Sequence, residues 1–175
     1  MPINLPNISD DRVQIRPFTR DDITAHVAGD DPEQVKWLSG GPSTIAGTTA
    51  WVDRNHESWQ NGGPVFNFAV VDLSSGLLTG MVEANVDWRR LDGLHEGDAN
   101  ISYALYPGFR GRGLMAHAIT LLEGFLRERG IKHAVIRIEP ENTASLAVPI
   151  KHGYVEGDPI TIQDGTHMRL FRKEL

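Results

Sequence analysis

Phe109-Arg110-Gly111-Arg112-Gly113-Leu114-Met115 is the stretch of this chain that decides its fold. It follows an alternating apolar run from Asn100 to Pro107, and it opens into an amphipathic segment that extends to Arg129. The two glycines lack a Cβ, so a bound group can approach the backbone closely. The first turn of a helix leaves its N–H groups unpaired and carries a partial positive charge, and the two arginines add formal charge. The stretch therefore predicts a turn that binds phosphate between a strand and a helix.

The length and composition of the chain indicate one domain, residues 1–175, that is long enough to bury a core. Its 40% hydrophobic and 23% charged residues are ordinary for a globular protein. No apolar run approaches the roughly 18 residues of a membrane span. Residues 1–7 lack the basic and apolar regions of a signal peptide. We therefore expect a cytoplasmic protein with no membrane segment.

The charge and the residue types narrow the classes of partner. A net charge of −6 argues against a nucleic-acid partner, which needs a basic face, and suits a cationic substrate such as an amine. The simpler interpretation of this charge is that acidic proteins stay soluble. The absence of cysteine excludes disulfides, thiol catalysis and zinc held by thiolates. The seven histidines show no H-E-x-x-H spacing, so the sequence predicts no metal site.

Alternating and apolar runs divide the chain into short strands and a few helices. Strands are predicted at residues 13–16, 65–72, 78–87, 99–106, 134–138, 153–157 and 167–173. Helical segments are predicted at about residues 19–28, 33–38, 48–60, 114–129 and 142–152, the second of them short. The strands between 65 and 106 imply an antiparallel meander, and the apolar run 134–138 suits a central parallel position. The predicted fold class is therefore α+β (mixed α/β), with a mostly antiparallel sheet of about seven strands flanked by about four helices.

The glycine-rich turn also fits the dinucleotide fingerprint G-x-G-x-x-G/A, through Gly111 to Ala116. A dinucleotide-binding unit requires a parallel βαβ sheet that starts with the motif, but here three meander strands precede it. Only about 60 residues follow the turn, too few for a second mononucleotide-binding half. The context therefore disfavours an NAD(P) site.

A second pattern, Arg-x-x-Gly-x-Gly/Ala, is filled by Arg110, Gly113 and, with a departure, Met115. About 30 residues later stand Asn142-x-x-Ser145 and Lys151-His152-Gly153-Tyr154. Further stretches carry the same likeness: Val13-Gln14-Ile15-Arg16-Pro17-Phe18, Phe68-Ala69-Val70-Val71-Asp72, Gly80-Met81-Val82-Glu83 and Ile101-Ser102-Tyr103-Ala104-Leu105. Together they resemble the GNAT superfamily of acyl-CoA-dependent N-acetyltransferases, and within it the branch named for RimJ and RimL. The resemblance covers most of the chain and implies the GNAT fold. It also implies acetyl-CoA as cosubstrate and a primary amine that attacks the thioester directly in a ternary complex.

The resemblance also assigns residues to the CoA molecule. Backbone N–H groups of the glycine-rich turn would hold the pyrophosphate, helped by the arginine side chains. This set comprises Arg110, Gly111, Arg112, Gly113, Leu114 and Met115. Leu105 and Tyr106 would pair their backbone with the pantetheine arm, where an N–H group freed by splaying of the strands polarises the thioester carbonyl. Asn142 would donate a hydrogen bond to pantetheine, and it can also be a plain N-cap.

An amine is mostly protonated at pH 7, so a base or a chain of waters must take its proton. Glu83 is the first candidate, because it shares one face of its strand with Asn85 and Asp87. The alternative is that Glu83 faces solvent at the rim of the sheet. Many relatives place a glutamate about where Asn100 stands, and asparagine is not a base. Asp98, two residues earlier on the same face, is therefore the second candidate.

The departing thiolate can be protonated by a side chain. Many members of the superfamily use a tyrosine seven residues after the asparagine, and Pro149 occupies that position here. Ser145 is the nearest replacement as a general acid, and it could equally be a small residue packed under the cofactor. A thiol pKa near about 8.5 makes this acid less than essential.

The sequence does not choose the acceptor amine: a protein N-terminus, a polyamine and an amine-bearing antibiotic all remain open. A contrasting class is a non-catalytic acyl-CoA-binding sensor, suggested by Pro149 and Asn100 at the two positions just described. Succinyl-CoA stays open as an alternative donor. A homodimer is equally open, because nothing in the sequence decides the oligomeric state.

Overall fold

The computed structural model of the chain describes residues 5–39 and 41–175. The strands in this part of the chain are β1 (Ile8–Ser9), β2 (Val13–Arg16), β3 (Val65–Asp72), β4 (Leu77–Asn85), β5 (Asp98–Leu105), β6 (His133–Ile138), β7 (Val155–Glu156), β8 (Ile160–Thr161) and β9 (His167–Glu174). The α-helices are α1 (Ile23–Ala28), α2 (Pro32–Gln34), α3 (Ile45–Gln60), α4 (Leu114–Glu128) and α5 (Thr143–Lys151).

The strands form one sheet in the order β1-β2-β3-β4-β5-β6-β9-β7, and β8 pairs with β9. The β5–β6 pair is parallel, whereas the β1–β2, β2–β3, β6–β9, β7–β9 and β8–β9 pairs are antiparallel. The mixed, mostly antiparallel sheet expected from the sequence is thus confirmed, and each of the seven expected strands has a counterpart. Strands β1 and β8 were not expected, because alternation is not visible in strands of two residues.

The helix starts lie a few residues from their predicted positions, because capping rather than apolar spacing sets them. Residues Arg20–Asp22 form a 3-10 turn, so α1 begins only at Ile23. Helix α3 begins at Ile45 because Oγ1 of Thr44 accepts a hydrogen bond of 3.0 Å from the Gly47 N–H.

The remaining helices follow the prediction more closely. Helix α2 continues into a π-helical turn, Val35–Ser39. Helix α5 contains Pro149 and still extends to Lys151, as the sequence predicts. Within the described ranges, no helix combines the length and the apolar character that crossing a membrane requires.

The chain forms two compact units. The first comprises Met1–Glu83 and Tyr103–Leu122, and the second comprises Ala84–Ser102 and Glu123–Leu175. Strands β4 and β5 and helix α4 each contribute residues to both units.

In the first unit, helices α1 and α3 share a core cluster with the sheet. β2 pairs with β3 in a register that runs from Val13↔Asp72 to Arg16↔Ala69. Ala69 packs with Phe18, Ile23 and Val52 in this cluster, and each is buried. Burying a side chain such as Phe or Val stabilises the fold by about 1.5–3 kcal/mol.

Two further features of the first unit fix the start of α4 and the end of β5. On α4 the buried side chains are Leu114, Met115, Ala118, Ile119 and Leu122. Gly80 on β4 has a φ of 159°, and a side chain there would overlap the carbonyl group of Ala104 on β5. Glycine at this position therefore lets the two backbones approach closely.

In the second unit, β6 is flanked on both sides. Its parallel pairing with β5 runs from Asp98↔His133 to Asn100↔Val135, and its antiparallel pairing with β9 covers its whole length. Val135 is fully buried in a cluster with Leu94 and Leu170. This central position accounts for the nearly continuous apolar run in β6.

Candidate active site

The glycine-rich turn has the backbone that anion binding requires. Gly111 and Gly113 have φ values of 73° and 75°, in the left-handed region that glycine adopts without strain. A Cβ added at either glycine would meet nothing within 4 Å, so this side of the turn is open. Helix α4 begins directly after the turn at Leu114, which is buried and anchors the helix start. The turn and the first helical N–H groups therefore fit a phosphate group.

Arg110 is held by partners within the protein. Its Nε donates to the carbonyl oxygen of Leu105 (2.9 Å), and its two terminal nitrogens each donate to one carboxylate oxygen of Asp31 (3.0 Å each). This hydrogen bond to Arg110 is the main reason why the pKa of Asp31 lies below its usual value. The sequence predicted Arg110 at the phosphate turn, but not that a carboxylate 79 residues away binds its guanidinium.

Arg112 is exposed and lies over the ring of Phe109, with 5.5 Å between the guanidinium carbon and the ring centroid. The carbonyl oxygen of Arg112 accepts a hydrogen bond of 3.3 Å from Nη2 of Arg12. Arg12 therefore brings a third guanidinium to the turn. Sequence reasoning missed it, because 100 residues separate Arg12 from Arg112.

The backbone of Tyr106 already has partners in the protein. Its N–H donates to the carbonyl oxygen of Thr79 and its own carbonyl accepts from the N–H of Phe109, both at 2.9 Å. Leu105, one residue earlier, accepts from the Arg110 side chain through its carbonyl. The carbonyl groups of both residues expected to pair with pantetheine, and the N–H of Tyr106, thus have partners within the protein.

The side chain of Tyr106 belongs to a buried aromatic group. Its hydroxyl lies 2.7 Å from Nδ1 of His26, whose ring stacks on Trp51 at 5.0 Å between centroids. Burial raises the pKa of the Tyr106 hydroxyl and lowers the pKa of the His26 imidazole. The Tyr106 hydroxyl and Nδ1 of His26 share one hydrogen bond, whose direction follows the tautomer of the imidazole. The sequence showed only a histidine without metal spacing, so this contact was not predicted.

Glu83 lies half-buried on β4, where its Oε2 accepts a hydrogen bond of 2.8 Å from Nδ2 of Asn67 on β3. Burial raises the pKa of the Glu83 carboxyl, and the Asn67 hydrogen bond opposes this change. A carboxyl whose pKa is shifted towards neutrality is suited to general base catalysis. These surroundings favour the catalytic interpretation of Glu83 over that of a carboxylate at a solvated rim.

Asp98, the second candidate base, has a different environment. Its side chain is fully buried, and its oxygens bind Nη1 of Arg172 (2.6 Å), Nδ1 of His133 (3.1 Å) and the N–H of His95 (2.8 Å). Nearby, Asn100 accepts a hydrogen bond of 2.9 Å from Nε of Arg137. With both oxygens of Asp98 occupied by strong donors, the structure favours Glu83 as the base.

Asn142 caps α5, as the sequence predicted. Its Oδ1 accepts a hydrogen bond of 3.4 Å from the N–H of Ser145, which is half-buried in the first turn. The cap uses the Oδ1 of Asn142 and leaves its Nδ2 as a donor. The structural role of Asn142 and its expected role in binding pantetheine are therefore compatible.

Asp10, Asp11 and His117 form a cluster in which ligand atoms lie within 4.8 Å of one another. Oδ2 of Asp10 is 2.6 Å from Nδ1 of His117, and Oδ1 of Asp10 accepts from the N–H groups of Arg12 and Val13. These contacts explain the cluster as a turn-capping carboxylate that shares a hydrogen bond with an imidazole. Burial acts to raise the pKa of the Asp10 carboxyl, but the hydrogen bonds from the N–H groups of Val13 and Arg12 and from His117 bring it below its usual value.

The family model described as Acetyltransferase (GNAT) domain matches residues 12–155 of the chain. Among solved structures, the ribosomal L7/L12 α-N-protein acetyltransferase RimL in its apo form is 16% identical, with a TM-score of 0.80 over 98% of this chain and 95% of that chain. A GNAT-family acetyltransferase from Bacillus anthracis is 21% identical, with a TM-score of 0.78 over 97% and 98% of the two chains.

A third solved structure is the microcin C7 self-immunity acetyltransferase MccE in complex with acetyl-CoA and AMP. It is 16% identical, with a TM-score of 0.79 over 95% of this chain and 94% of that chain. A comparison with curated protein sequences finds no match. These structural similarities establish the fold, and the family model covers most of the residues, including the glycine-rich turn. The chain therefore belongs to the GNAT acetyltransferase family.

Proposed function

We propose that the protein is an acetyl-CoA-dependent N-acetyltransferase that transfers the acetyl group to a primary amine within a ternary complex. The observation that carries the proposal is the open turn with left-handed Gly111 and Gly113 at the start of α4. In a member of this family, such a turn is the expected site for the CoA pyrophosphate. MccE, which has a similar fold, is described with acetyl-CoA bound.

The residues proposed to hold acetyl-CoA are those expected from the sequence. Backbone N–H groups of the turn from Arg110 to Met115 receive the pyrophosphate, and the guanidinium of exposed Arg112 adds charge. Leu105 pairs its backbone with the pantetheine arm. The side chain of Tyr106, the residue after β5, is buried and packs at this end of the strand. Asn142 contributes its Nδ2 as a donor. Acetyl-CoA supplies an activated thioester as cosubstrate.

Glu83 is the proposed general base, and Asp98 is retained only as the less favoured candidate. Glu83 takes the proton from the amine as the new N–C bond forms and the C–S bond breaks. Ser145 is the proposed donor of a proton to the departing thiolate. Because a free thiol has a pKa near about 8.5, the thiolate can also leave unprotonated and take a proton from water.

A protein N-terminus is the acceptor that we propose first. RimL, which has a similar fold, is described as acting on the α-amino group of ribosomal protein L7/L12. The net charge of −6 supports a cationic acceptor, because negative potential raises the local concentration of cations. A polyamine or an amine-bearing antibiotic is the alternative acceptor. We further propose that the protein acts in the cytoplasm.

Release of free thiol from acetyl-CoA tests the proposal. The purified chain is mixed with acetyl-CoA and a panel containing peptides with free N-termini, polyamines and aminoglycosides, and succinyl-CoA serves as a second donor. We expect amine-dependent thiol release with acetyl-CoA, and N-acetylated peptides as controls should give none. Tight CoA binding without turnover on any amine would instead support a non-catalytic acyl-CoA sensor.

A further inference from the structure

Asn67 is a buried polar residue in the middle of an apolar strand. It has no exposed surface, and its neighbours on β3, Phe66 and Phe68, are buried as well. Burying an amide is unfavourable unless its polar atoms are used. The Nδ2 of Asn67 is used, because it donates to Oε2 of Glu83 at 2.8 Å. The position of this amide is therefore tied to the Glu83 carboxyl.

The oxygen of the same amide is left without a donor. Among the described residues, none donates a hydrogen bond to the buried Oδ1 of Asn67. Buried amide oxygens normally have a hydrogen-bond partner. An ionised carboxylate only accepts hydrogen bonds, whereas a protonated carboxyl also carries one O–H donor. Asn67 thus offers a donor to ionised Glu83 and an acceptor to protonated Glu83.

We propose that Asn67 is the positioning residue of Glu83, holding Oε2 so that Oε1 takes the proton of the acceptor amine. The inference rests on the proposed function of Glu83 as the base. The proton moves from the amine nitrogen to Oε1. Rotation of the Glu83 carboxyl brings the protonated oxygen towards Asn67, and rotation of the Asn67 amide lets its Oδ1 accept this O–H, before the carboxyl turns back and passes the proton to solvent. Asn67 therefore forms a hydrogen bond with Glu83 in both protonation states of the base, as a donor to the carboxylate and as an acceptor from the protonated carboxyl.

Two other ionisable side chains of the first unit, Asp22 and His26, have their own partners. Asp22 pairs with Arg16 at 2.7 Å, and His26 bonds to Tyr106. Within the described part of the chain, no charged side chain forms an ion pair with Glu83, and burial and Asn67 are the two causes that act on its pKa. Among the described residues, the contact that favours the ionised form of Glu83 is therefore the hydrogen bond from Asn67.

Two substitutions of Asn67 separate positioning from packing. Asn67→Leu keeps a similar size and removes the donor, whereas Asn67→Asp keeps the shape and replaces the donor with a carboxylate that repels ionised Glu83. The titration of the Glu83 carboxyl is followed by ¹³C NMR, with Glu83→Gln to assign its resonance. The acidic limb of kcat/KM for a reactive amine is measured in parallel.

We expect the midpoint of the Glu83 titration and the acidic limb to move to higher pH in the order wild type, Asn67→Leu, Asn67→Asp. At pH values below the midpoint of the acidic limb, kcat/KM of Asn67→Leu should be about tenfold lower than that of the wild type. This decrease corresponds to the loss of one hydrogen bond to a charged group. The KM for acetyl-CoA should stay near that of the wild type. In a Glu83→Gln background, Asn67→Leu should produce no further change in the pH profile.

Thr79→Val is the matched control, because it removes another buried hydrogen bond of the same unit, from Oγ1 to the Val70 carbonyl (3.0 Å). It should lower the melting temperature without moving the Glu83 titration. A folded Asn67→Leu variant with an unmoved Glu83 titration would overturn the inference, and Asn67→Asp provides the same test if the leucine variant does not fold. If the Glu83 titration shifts but the wild type acetylates no amine, the coupling stands and the proposed function fails.

Discussion

Glu83 and Asp98 are both candidate bases, but their surroundings give them different chemistry. Asp98 is buried and binds the guanidinium of Arg172 at 2.6 Å, so its charge is neutralised within the protein. Glu83 is half-buried and has one amide donor, so its charge is poorly compensated. An uncompensated carboxylate gains more from accepting a proton. We therefore propose Glu83, whose carboxylate has a single amide donor, as the base.

Because the negative charge of Glu83 is poorly compensated, we predict that the stability of the fold changes with pH. Because burial raises its folded-state pKa, the folded protein keeps this proton to higher pH than the unfolded chain. The stability contributed by protonated Glu83 is complete below the unfolded pKa and is lost as pH rises through the folded value. Glu83→Gln, which cannot ionise, should therefore melt at a higher temperature than wild type at pH 7, with a smaller difference at pH 4.

In Glu83→Gln, kcat should be lower than in the wild type by about a hundredfold or more, which is the usual contribution of a general base. Thermal denaturation at the two pH values and steady-state kinetics check both effects. Glu57→Gln, at an exposed position of α3, is the control and should alter neither quantity. A Glu83→Gln variant with the kcat and pH profile of the wild type would eliminate Glu83 as the base.

The side chain of Arg110 allows a second test, because its guanidinium is bound to Asp31 and a phosphate group would have to compete with this carboxylate. Arg110→Ala should raise the KM for acetyl-CoA about tenfold, the effect of losing one charged hydrogen bond, and leave the KM for the amine nearly unchanged. Asp31→Asn should not raise the KM for acetyl-CoA, because it releases the guanidinium. Arg20→Ala, which breaks the exposed pair with Asp53, is the control. An unchanged KM in Arg110→Ala would remove Arg110 from the phosphate site.

The residues that could be predicted from the sequence are those defined by their immediate neighbours. Gly111, Gly113 and the cap at Asn142 follow from local turn and helix chemistry, and the structure contains each of them. The contacts of Asn67 with Glu83 and of Tyr106 with His26 join residues 16 and 80 positions apart. No local periodicity encodes such pairs, so the sequence could name Glu83 but not the amide that holds it.

At the scale of elements, the turn and α4 act together. Gly111 and Gly113 are left-handed, while Leu114 and Met115 bury the first turn of the helix. The backbone N–H groups are thus fixed before any ligand arrives, which lowers the entropy lost on binding. The sequence predicted this element well because strand, glycine turn and helix follow each other without interruption. It missed β1 and β8, which exist only through pairing with distant strands.

Alanine substitutions at two glycines of this part of the chain are predicted to change the stability of the fold in opposite directions. Gly113→Ala forces a side chain into the left-handed region and should destabilise the fold by about 1–2 kcal/mol and weaken CoA binding. Gly124→Ala lies inside α4 with nothing within 4 Å of the added Cβ, and should stabilise the fold by about 0.5–1 kcal/mol. Chemical denaturation and CoA titration measure both. Equal effects of the two substitutions would contradict a conformational role for Gly113.

At the scale of the whole molecule, the two compact units share three elements along the chain. β4, β5 and α4 each pass from one unit to the other, so neither unit contains these elements complete. A unit that lacks part of a strand or helix loses hydrogen bonds that only the intact element provides. Because neither unit contains these elements complete, we predict that residues 1–175 unfold as one domain.

Acetyl-CoA should therefore stabilise the whole chain in a single transition. At a ligand concentration about 100 times Kd, binding adds about 2.7 kcal/mol, which corresponds to a rise in melting temperature of about 5–10 °C for a chain of this size. NADPH carries comparable phosphate charge and is the matched control, since the parallel pair β5–β6 on either side of the glycine-rich turn and α4 belongs to a mostly antiparallel sheet, whereas a dinucleotide site requires a parallel one. Calorimetry with each ligand, on the wild type and on Arg110→Ala, makes the comparison.

The wild type should show one transition that acetyl-CoA moves and NADPH does not, and Arg110→Ala should show a smaller shift. Two transitions, of which acetyl-CoA moves only one, would mean that the units unfold separately and that the cosubstrate binds to one of them. A shift with NADPH alone would contradict the assignment of the turn to CoA. The melting curve thus tests the domain prediction and the ligand prediction through different features, the number of transitions and their displacement.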